Sequence, residues 1–461
     1  MVWVVLLQVV LAALVALAPE VLLGVAGAIV LVIVVSWSFA GVPPWKKPGV
    51  NRGVDEPLPA LWLALLVTFA AMTLDVQGLF THRSDAGASP YRWAILPIPL
   101  IVVFLCRRPH GRRVSLQPAD AFLIVLVTWG LVASVGAKLL ANPMFTGLSF
   151  FIPMCLALLF LVPRGGAPTE VGAARVLDWL AYIGAGFVAI HLAAHLDVSF
   201  IPEGAHGHEK AFLLATGVAA AVATQRRRLA FAEGVAILVV FLLSPAATYV
   251  MTGAGIVVTV LLLSKKKSRF RTAFIAAMVP ATLIFGFTSA LNSESDSFVN
   301  RLLPKYFEAV GKDDNSAFRR EMLETGIEQV RARPLVGQRF TGGFALPTSF
   351  RAGRAQVLPH NDFLEIALAG GLLGLFLFLG VAGFMNLVAI RQYTELGNAG
   401  CPMQQALVGT LIVGFNACLS VALFQPVLFE VGTGAMFFLL CACVRATANR
   451  TADVSTALSA A

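Results

Sequence analysis

The sequence predicts an all-α, polytopic membrane protein with about fourteen transmembrane helices. Composition is the first observation: 58% of the 461 residues are hydrophobic and 13% are charged, and the mean hydropathy is +0.82. Soluble domains carry about 25% charged residues. The chain therefore lacks the polar side chains to coat soluble domains, which excludes a soluble enzyme, a disordered protein and a secreted disulfide scaffold.

Long apolar runs are the second observation, because about 20 residues cross about 30 Å of hydrocarbon. In chain order the predicted spans cover residues 2–18, 21–41, 58–80, 93–106, 119–141, 144–162, 176–196, 211–224, 229–245, 248–264, 272–291, 363–390, 404–424 and 427–444. The second run follows the first almost at once, and no basic segment precedes them. We therefore expect no cleavable signal peptide.

Short basic clusters between the runs are the third observation. With a cytoplasmic N-terminus, each of them falls on the cytoplasmic side, as the positive-inside rule requires: Lys46, Lys47 and Arg52, Arg107 to Arg113, Arg164 with Arg175, Arg226 to Arg228, Lys265 to Arg271, Arg391, and Arg445 with Arg450. Both termini are then cytoplasmic. No segment gathers the charge into a basic face for nucleic acid, and no cysteine falls in an outer loop, so we expect no disulfide.

The predicted organisation has four parts. N-terminal transmembrane helices (1–291) precede a large periplasmic loop (292–362), C-terminal transmembrane helices (363–445) and a cytoplasmic tail (446–461). The loop joins the eleventh and twelfth spans and holds ten Lys or Arg and nine Asp or Glu. Two of its stretches, 296–310 and 316–333, carry apolar residues at helical spacing.

The segment that enters the twelfth span has the clearest potential chemistry. It reads Pro-His-Asn-Asp-Phe-Leu-Glu over residues 359–365. Asn361 or Asp362 is suited to cap the helix, and a helix start offers N–H groups to phosphate. His360 is placed to act as a base. The alternative is a purely structural cap beside a surface histidine. Ionisable residues are scarce at mid-membrane, which argues against an ion-coupled transporter.

Two motifs in order resemble the O-antigen ligase and O-antigen polymerase superfamily. One is His-Asn-Asp-Phe-Leu-Glu at 360–365, followed by Gly-Gly-Leu-Leu-Gly at 370–374. The glycines at a spacing of four would let another helix approach closely. The other is Arg-Pro-Leu-Val-Gly at 333–337, preceded by Arg319 at the family's spacing of about fifteen residues and followed by Gly342 and Gly343. Together they cover about residues 316–380.

The resemblance implies a glycosyltransferase of the GT-C type in the bacterial inner membrane, with its active site facing the periplasm and no metal or other cofactor. Its donor would be an undecaprenyl-diphosphate-linked glycan, and its acceptor a saccharide or the lipid A core. Its further partners would be membrane lipid and a chain-length regulator. His360 and Arg319 would be catalytic, while Arg320, Asn361 and Asp362 would bind substrate. Arginine suits the diphosphate because it can donate two hydrogen bonds to one phosphate.

The sequence departs from the family at residues 249–255, where a turn that usually contains an arginine reads Tyr-Val-Met-Thr-Gly-Ala-Gly. Lys210, Lys138 or Arg320 would then supply the missing charge. This departure favours a polysaccharide polymerase over a ligase. A flippase for lipid-linked glycans also suits fourteen spans, and a non-catalytic assembly protein is a third class. A histidine-rich loop offers a second candidate site, for zinc: His191, His195, Glu203, His206, His208 and Glu209.

Overall fold

The computed structural model describes residues 58–74, 118–134, 166–195, 210–243, 247–263, 314–337, 361–423, 425, 427–428 and 431–460. Every regular element in these ranges is an α-helix: α1 Ala60–Leu74, α2 Pro118–Ser134, α3 Glu170–His195, α4 Ala211–Ala223, α5 Arg227–Leu243, α6 Ala247–Leu263, α7 Asp314–Ala332, α8 Asp362–Asn398, α9 Pro402–Val421 and α10 Val431–Ala460. The all-α class is thereby confirmed. The predicted spans 2–18, 21–41, 93–106, 144–162 and 272–291, and the loop segment 296–310, lie outside the described residues.

Several of these helices suit a membrane. In the described part of the chain, three are long and apolar enough to cross it: Glu170–Ala193, Asp362–Asn398 and Pro402–Val421. Four shorter apolar stretches accompany them: Leu61–Thr73, Ala211–Ala223, Met251–Leu263 and Gly432–Thr447. Each of the seven overlaps a predicted span, so the apolar runs of the sequence do form helices.

Small residues let the helices of the bundle approach closely. α9 packs against α3, α4, α6, α8 and α10 and lies at the centre of the described helices. A Cβ atom on Gly184 of α3 would lie 2.5 Å from the Cα of Gly217 in α4, and one on Gly255 of α6 would lie 2.5 Å from the Cα of Ala417 in α9. Such contacts replace the hydrophobic effect as the source of helix association in lipid.

A buried polar network joins three of these helices. Asn416 of α9 donates to the Thr259 hydroxyl of α6 at 3.0 Å, and its amide exchanges hydrogen bonds with that of Asn386 in α8 at 3.0 and 3.1 Å. Each such interhelical hydrogen bond contributes about 0.6 kcal/mol in a membrane protein. The network therefore fixes the register of α6, α8 and α9 more than it stabilises them.

The predicted twelfth span is not one straight helix. α8 begins at Asp362, but Gly371 has a φ of 67° and a ψ of −171°, which breaks the helix into a short arm (362–370) and a long arm (372–398). The rings of Phe363 and Phe378 are 5.8 Å apart, whereas fifteen residues of continuous helix would separate them by about 22 Å. The short arm therefore folds back along the first turns of the long arm. The long arm still reaches about 40 Å.

Candidate active site

The short arm of α8 has a fully formed N-terminal cap. Asn361 is the N-cap residue, and its side-chain oxygen accepts a hydrogen bond from the Leu364 N–H at 3.0 Å, as expected from the sequence. The Asp362 N–H donates to the carbonyl oxygen of Ala422 at the end of α9, and the Glu365 N–H donates to that of Asn361. Protein acceptors therefore occupy three of the first four N–H groups, which leaves few for a phosphate at this helix start.

Asp362 holds the short arm to the connection between α9 and α10. Its side chain is fully buried, and one carboxylate oxygen accepts hydrogen bonds from the N–H groups of Val427 and Leu428 at 2.8 and 2.6 Å. These two hydrogen bonds tie the carboxylate to the backbone of the α9–α10 connection. Asp362 was predicted to bind substrate; the structure places it beneath the helix start, on backbone donors.

The two family motifs meet at the reversal of α8. The Leu372 N–H donates to the Pro334 carbonyl oxygen at 2.7 Å. A Cβ atom on Gly371 would overlap the Leu335 carbonyl group, and a Cβ atom on Gly337 would lie 2.5 Å from the Gly371 nitrogen. The turn 334–337 therefore packs backbone to backbone against the glycines of α8. The sequence predicted a helix as the partner of these glycines, but their partner is this loop turn.

α7 runs parallel to the short arm. The turn after its C-terminus contacts Gly371, and one helical stretch earlier a Cβ atom on Gly326 would lie 2.6 Å from the Leu364 side chain. Met322, also on this face, is 2% exposed. Position 319 lies seven residues before Gly326, so helical spacing places it on the same face, about 10 Å farther toward the N-terminus of α7. The backbone of α7 therefore brings position 319 to the end of the short arm where Asn361 lies.

Position 320 lies on a different face of α7. Helical spacing groups it with Leu323, Glu324 and Ile327, all of which are exposed. Positions 319 and 320 are thus not equivalent: the first lies on the face of α7 that packs against the short arm, and the second lies on a different face. The structure describes the backbone of both residues but not their side chains.

A polar layer lies at the end of the bundle where α8 begins and α9 ends, which we call the Asn361 end. His191 lies seven residues beyond Gly184, and Lys210 seven residues before its partner Gly217, so both sit about 10 Å from this crossing. The His191 ring is hydrogen-bonded to the hydroxyl group of Tyr249 at the start of α6. His191 and Lys210 are 1% and 2% exposed. The layer therefore encloses the Lys210 ammonium group within the bundle.

The predicted site residues are only partly described. His360 and Lys138 lie outside the described residues. Asn361, the residue directly after His360, is described and caps the short arm. Sequence reasoning missed Trp129 of α2, which donates to the Gly370 carbonyl oxygen at 3.3 Å, and Tyr249. A signal for Tyr249 existed, since it opens the segment that departs from the family pattern. Trp129 gave no signal, because its partner lies 241 positions away.

The described residues contain no group of three or more His, Cys, Asp or Glu that could hold a metal ion. Of the predicted zinc candidates, His191 is bonded to Tyr249, the side chain of His195 is not described, and the others lie outside the described residues.

Part of the chain matches a known protein family. Residues 230–379 match the family model described as O-antigen ligase. The match covers α7, its following turn and the short arm of α8, so it includes both motifs that meet at Gly371. No curated protein matches the chain. The resemblance to the O-antigen ligase and O-antigen polymerase superfamily is therefore confirmed: residues 230–379 carry the O-antigen ligase domain of this superfamily.

Proposed function

We propose that this protein is a membrane glycosyltransferase that polymerises O-antigen or exopolysaccharide repeat units. It takes the growing or single glycan from undecaprenyl diphosphate and transfers it to a saccharide acceptor. The observation that carries the proposal is the parallel packing of α7 on the short arm of α8. This packing brings position 319 to the end of the short arm that directly follows His360.

The reaction needs a base and a fixed positive charge. The bond between the anomeric carbon and the diphosphate oxygen breaks, and its electron pair stays on the diphosphate. The acceptor hydroxyl oxygen bonds to the anomeric carbon, and its proton passes to His360, which acts as general base. Arg319 stabilises the charge on the leaving diphosphate with two hydrogen bonds.

Other residues hold the substrate rather than react. One of Lys210, Lys138 and Arg320 supplies the charge that the family's missing arginine would carry. Lys210, buried in the polar layer, is the first candidate, because position 320 lies on a different face of α7 from the one that packs against the short arm. Asn361 and Asp362 contribute by fixing the helix start beside the donor. Because these cations are part of the chain, the mechanism requires no metal or other cofactor.

The proposed setting is the bacterial inner membrane. The chain crosses it about fourteen times with both termini in the cytoplasm, so that α7 and the Asn361 end face the periplasm. The donor enters from surrounding membrane lipid, and a chain-length regulator is a further partner.

O-antigen ligation to the lipid A core is the second candidate function. The description of the matching family model favours it. The two functions share the donor, the leaving group and the roles of His360 and Arg319. They differ in the acceptor, which is a second lipid-linked glycan in the polymerase and the lipid A core in the ligase.

The test is transfer by purified protein from an undecaprenyl-diphosphate-linked glycan, with either acceptor offered separately. We expect products that grow by whole repeat units, and unchanged rates in EDTA. A single addition to the lipid A core would instead establish the ligase, and no transfer to either acceptor would refute both. Loss of activity in EDTA would refute the metal-free mechanism.

Variants in the same assay test the two catalytic roles. His360→Ala should lower the rate by about two to four orders of magnitude, the contribution of a general base, while the donor still binds. Arg319→Ala should nearly abolish transfer, and Arg319→Lys should restore it only partly, because a lysine lacks the planar fork of arginine. Arg331→Ala is the matched control, since Arg331 lies exposed in the last turn of the same helix. Equal losses in Arg319→Ala and Arg331→Ala would remove Arg319 from the site.

A further inference from the structure

We infer that Gly337 and Gly371 are positioning residues for the transfer reaction, which hold α7 against the short arm of α8. We call their contact, with the hydrogen bond from Leu372 to Pro334, the glycine clasp. The inference rests on the proposed function, because it assigns the clasp to the site formed by Arg319 and His360.

Both glycines adopt backbone conformations that other residues avoid. The φ angles of Gly337 and Gly371 are 55° and 67°, in the left-handed region that other L-residues rarely adopt. Neither has room for a side chain, because a Cβ atom on Gly337 would overlap the Leu368 carbonyl oxygen and one on Gly371 that of Leu335. The two segments can therefore approach this closely only with glycine at both positions.

The clasp also satisfies the backbone groups that the break in α8 releases. A break within an apolar helix leaves N–H and C=O groups that need other partners. The Leu372 N–H bonds to Pro334 of the loop, and the Gly370 carbonyl oxygen accepts from the Trp129 indole of α2. The turn 334–337 is thus one of the partners that let α8 reverse direction. The short arm also holds this turn in place.

The short arm is anchored at both of its ends. Asp362 ties its beginning to the α9–α10 connection, and the clasp ties its end to the turn that follows α7. α7 also contacts the arm at Gly326 and Leu364. Without the clasp, the end of α7 would lose its backbone contact with the arm, and position 319 would move relative to the helix start. A shift of about 1 Å in a reacting group can cost about 100-fold in rate.

The test compares alanine substitutions at the two clasp glycines with alanine substitutions at glycines that have open space around them. Gly371→Ala and Gly337→Ala remove the clasp. Gly400→Ala is the first control, since Gly400 has a φ of 69° but nothing within 4 Å of an added Cβ atom. Gly383→Ala is the second, since Gly383 lies in the long arm of α8 with similarly open space. Trp129→Phe deletes only the donor to Gly370 and gives a milder variant that keeps an aromatic ring.

Two readouts separate positioning from folding. The first is kcat for transfer, which we expect to fall about 100-fold in both clasp variants, less in Trp129→Phe, and little in the two controls. The second is the distance between spin labels at Glu328 of α7 and Leu387 of α8, both exposed, in a cysteine-depleted chain. We expect one narrow distance in the parent protein and a broad distribution in the clasp variants.

Each outcome decides the inference. A broadened distance with unchanged kcat would overturn it, and so would a loss of kcat with an unchanged distance. If the clasp variants fail to insert in the membrane, Trp129→Phe carries the test, and an unchanged kcat there overturns the inference. The label distance does not depend on activity. If the parent protein transfers no glycan but its narrow distance broadens in the clasp variants, the proposed function fails while the structural part of the clasp stands.

Discussion

Asp362 illustrates, at the scale of one residue, how a polar side chain can serve a site without touching a substrate. It is fully buried, yet it directly follows the capping residue Asn361 and lies two positions after His360. Its carboxylate binds the N–H groups of Val427 and Leu428, while its own N–H binds Ala422. The start of the short arm is therefore anchored to a segment more than 60 residues away in the chain.

Substitution of Asp362 should affect stability before chemistry. Asp362→Ala removes the acceptor of the buried Leu428 N–H, at a cost of about 1–3 kcal/mol, and one of the two acceptors of the Val427 N–H, which keeps the Gln425 carbonyl oxygen. Asp362→Asn keeps one oxygen acceptor and should retain most of the stability. Thermal unfolding of the purified variants in detergent should therefore rank the parent first, Asn second and Ala last. Equal unfolding temperatures for the Ala variant and the parent would show that the two hydrogen bonds contribute nothing.

Residue preferences predicted the helix cap at Asn361 but not the contact that anchors Asp362. Asn361 follows from the high frequency of asparagine at helix starts, a local property that the sequence displays. The burial of Asp362 depends on Val427 and Leu428, and nothing near residue 362 encodes that contact. The same holds for Trp129 and Gly370. Sequence patterns thus located the segment, and tertiary contacts assigned its residues their tasks.

At the scale of elements, glycines mark where helices touch, but their sequence spacing does not reveal what touches them. Gly370, Gly371 and Gly374 were predicted to admit a neighbouring helix, and instead they admit a loop turn and a reversal. By contrast, Gly255 does admit a helix, α9 at Ala417. Small residues in a helix are consistent with contact to a helix or to a loop turn. The left-handed φ of Gly371 distinguishes the two contacts, and the sequence does not show it.

Two glycines of α6 provide a test of this distinction. Gly255→Ala would press a Cβ atom against the backbone of α9 and should destabilise the protein by about 1–3 kcal/mol, the usual cost of overpacking. Gly253→Ala, two residues earlier, meets nothing within 4 Å and should stabilise the helix by about 0.5–1 kcal/mol. Unfolding temperatures measured in one detergent should move in opposite directions. A decrease of similar size in both would attribute the effect to the helix itself rather than to its contact with α9.

At the scale of the whole molecule, composition and charge placement determine the class, while the packing of the described helices shows how the two family motifs meet. The apolar runs predicted where α1 to α6 and α8 to α10 form, because burial in lipid depends on the hydropathy of each run. Charge placement predicts more than helices: it orients every span, and with it the side of the membrane on which α7 and Asn361 lie. The proposed chemistry requires that side to be the periplasm.

Reporter fusions can establish this orientation. The basic clusters at Arg113, Arg228 and Lys267 end predicted cytoplasmic loops, and Asp314 begins α7 in the predicted periplasmic loop. A reporter that is active only in the periplasm should therefore be silent after Arg113, Arg228 and Lys267 and active near Asp314, and a cytoplasmic reporter should give the opposite pattern. The arginines of the loop do not weaken this expectation, because long loops escape the positive-inside rule.

A cytoplasmic signal at Asp314 would place Arg319 and His360 on the wrong side for a periplasmic acceptor and refute the proposed reaction. A single inconsistent fusion among the other three would change the number of spans but leave the side of the site intact, provided that Asp314 reports the periplasm.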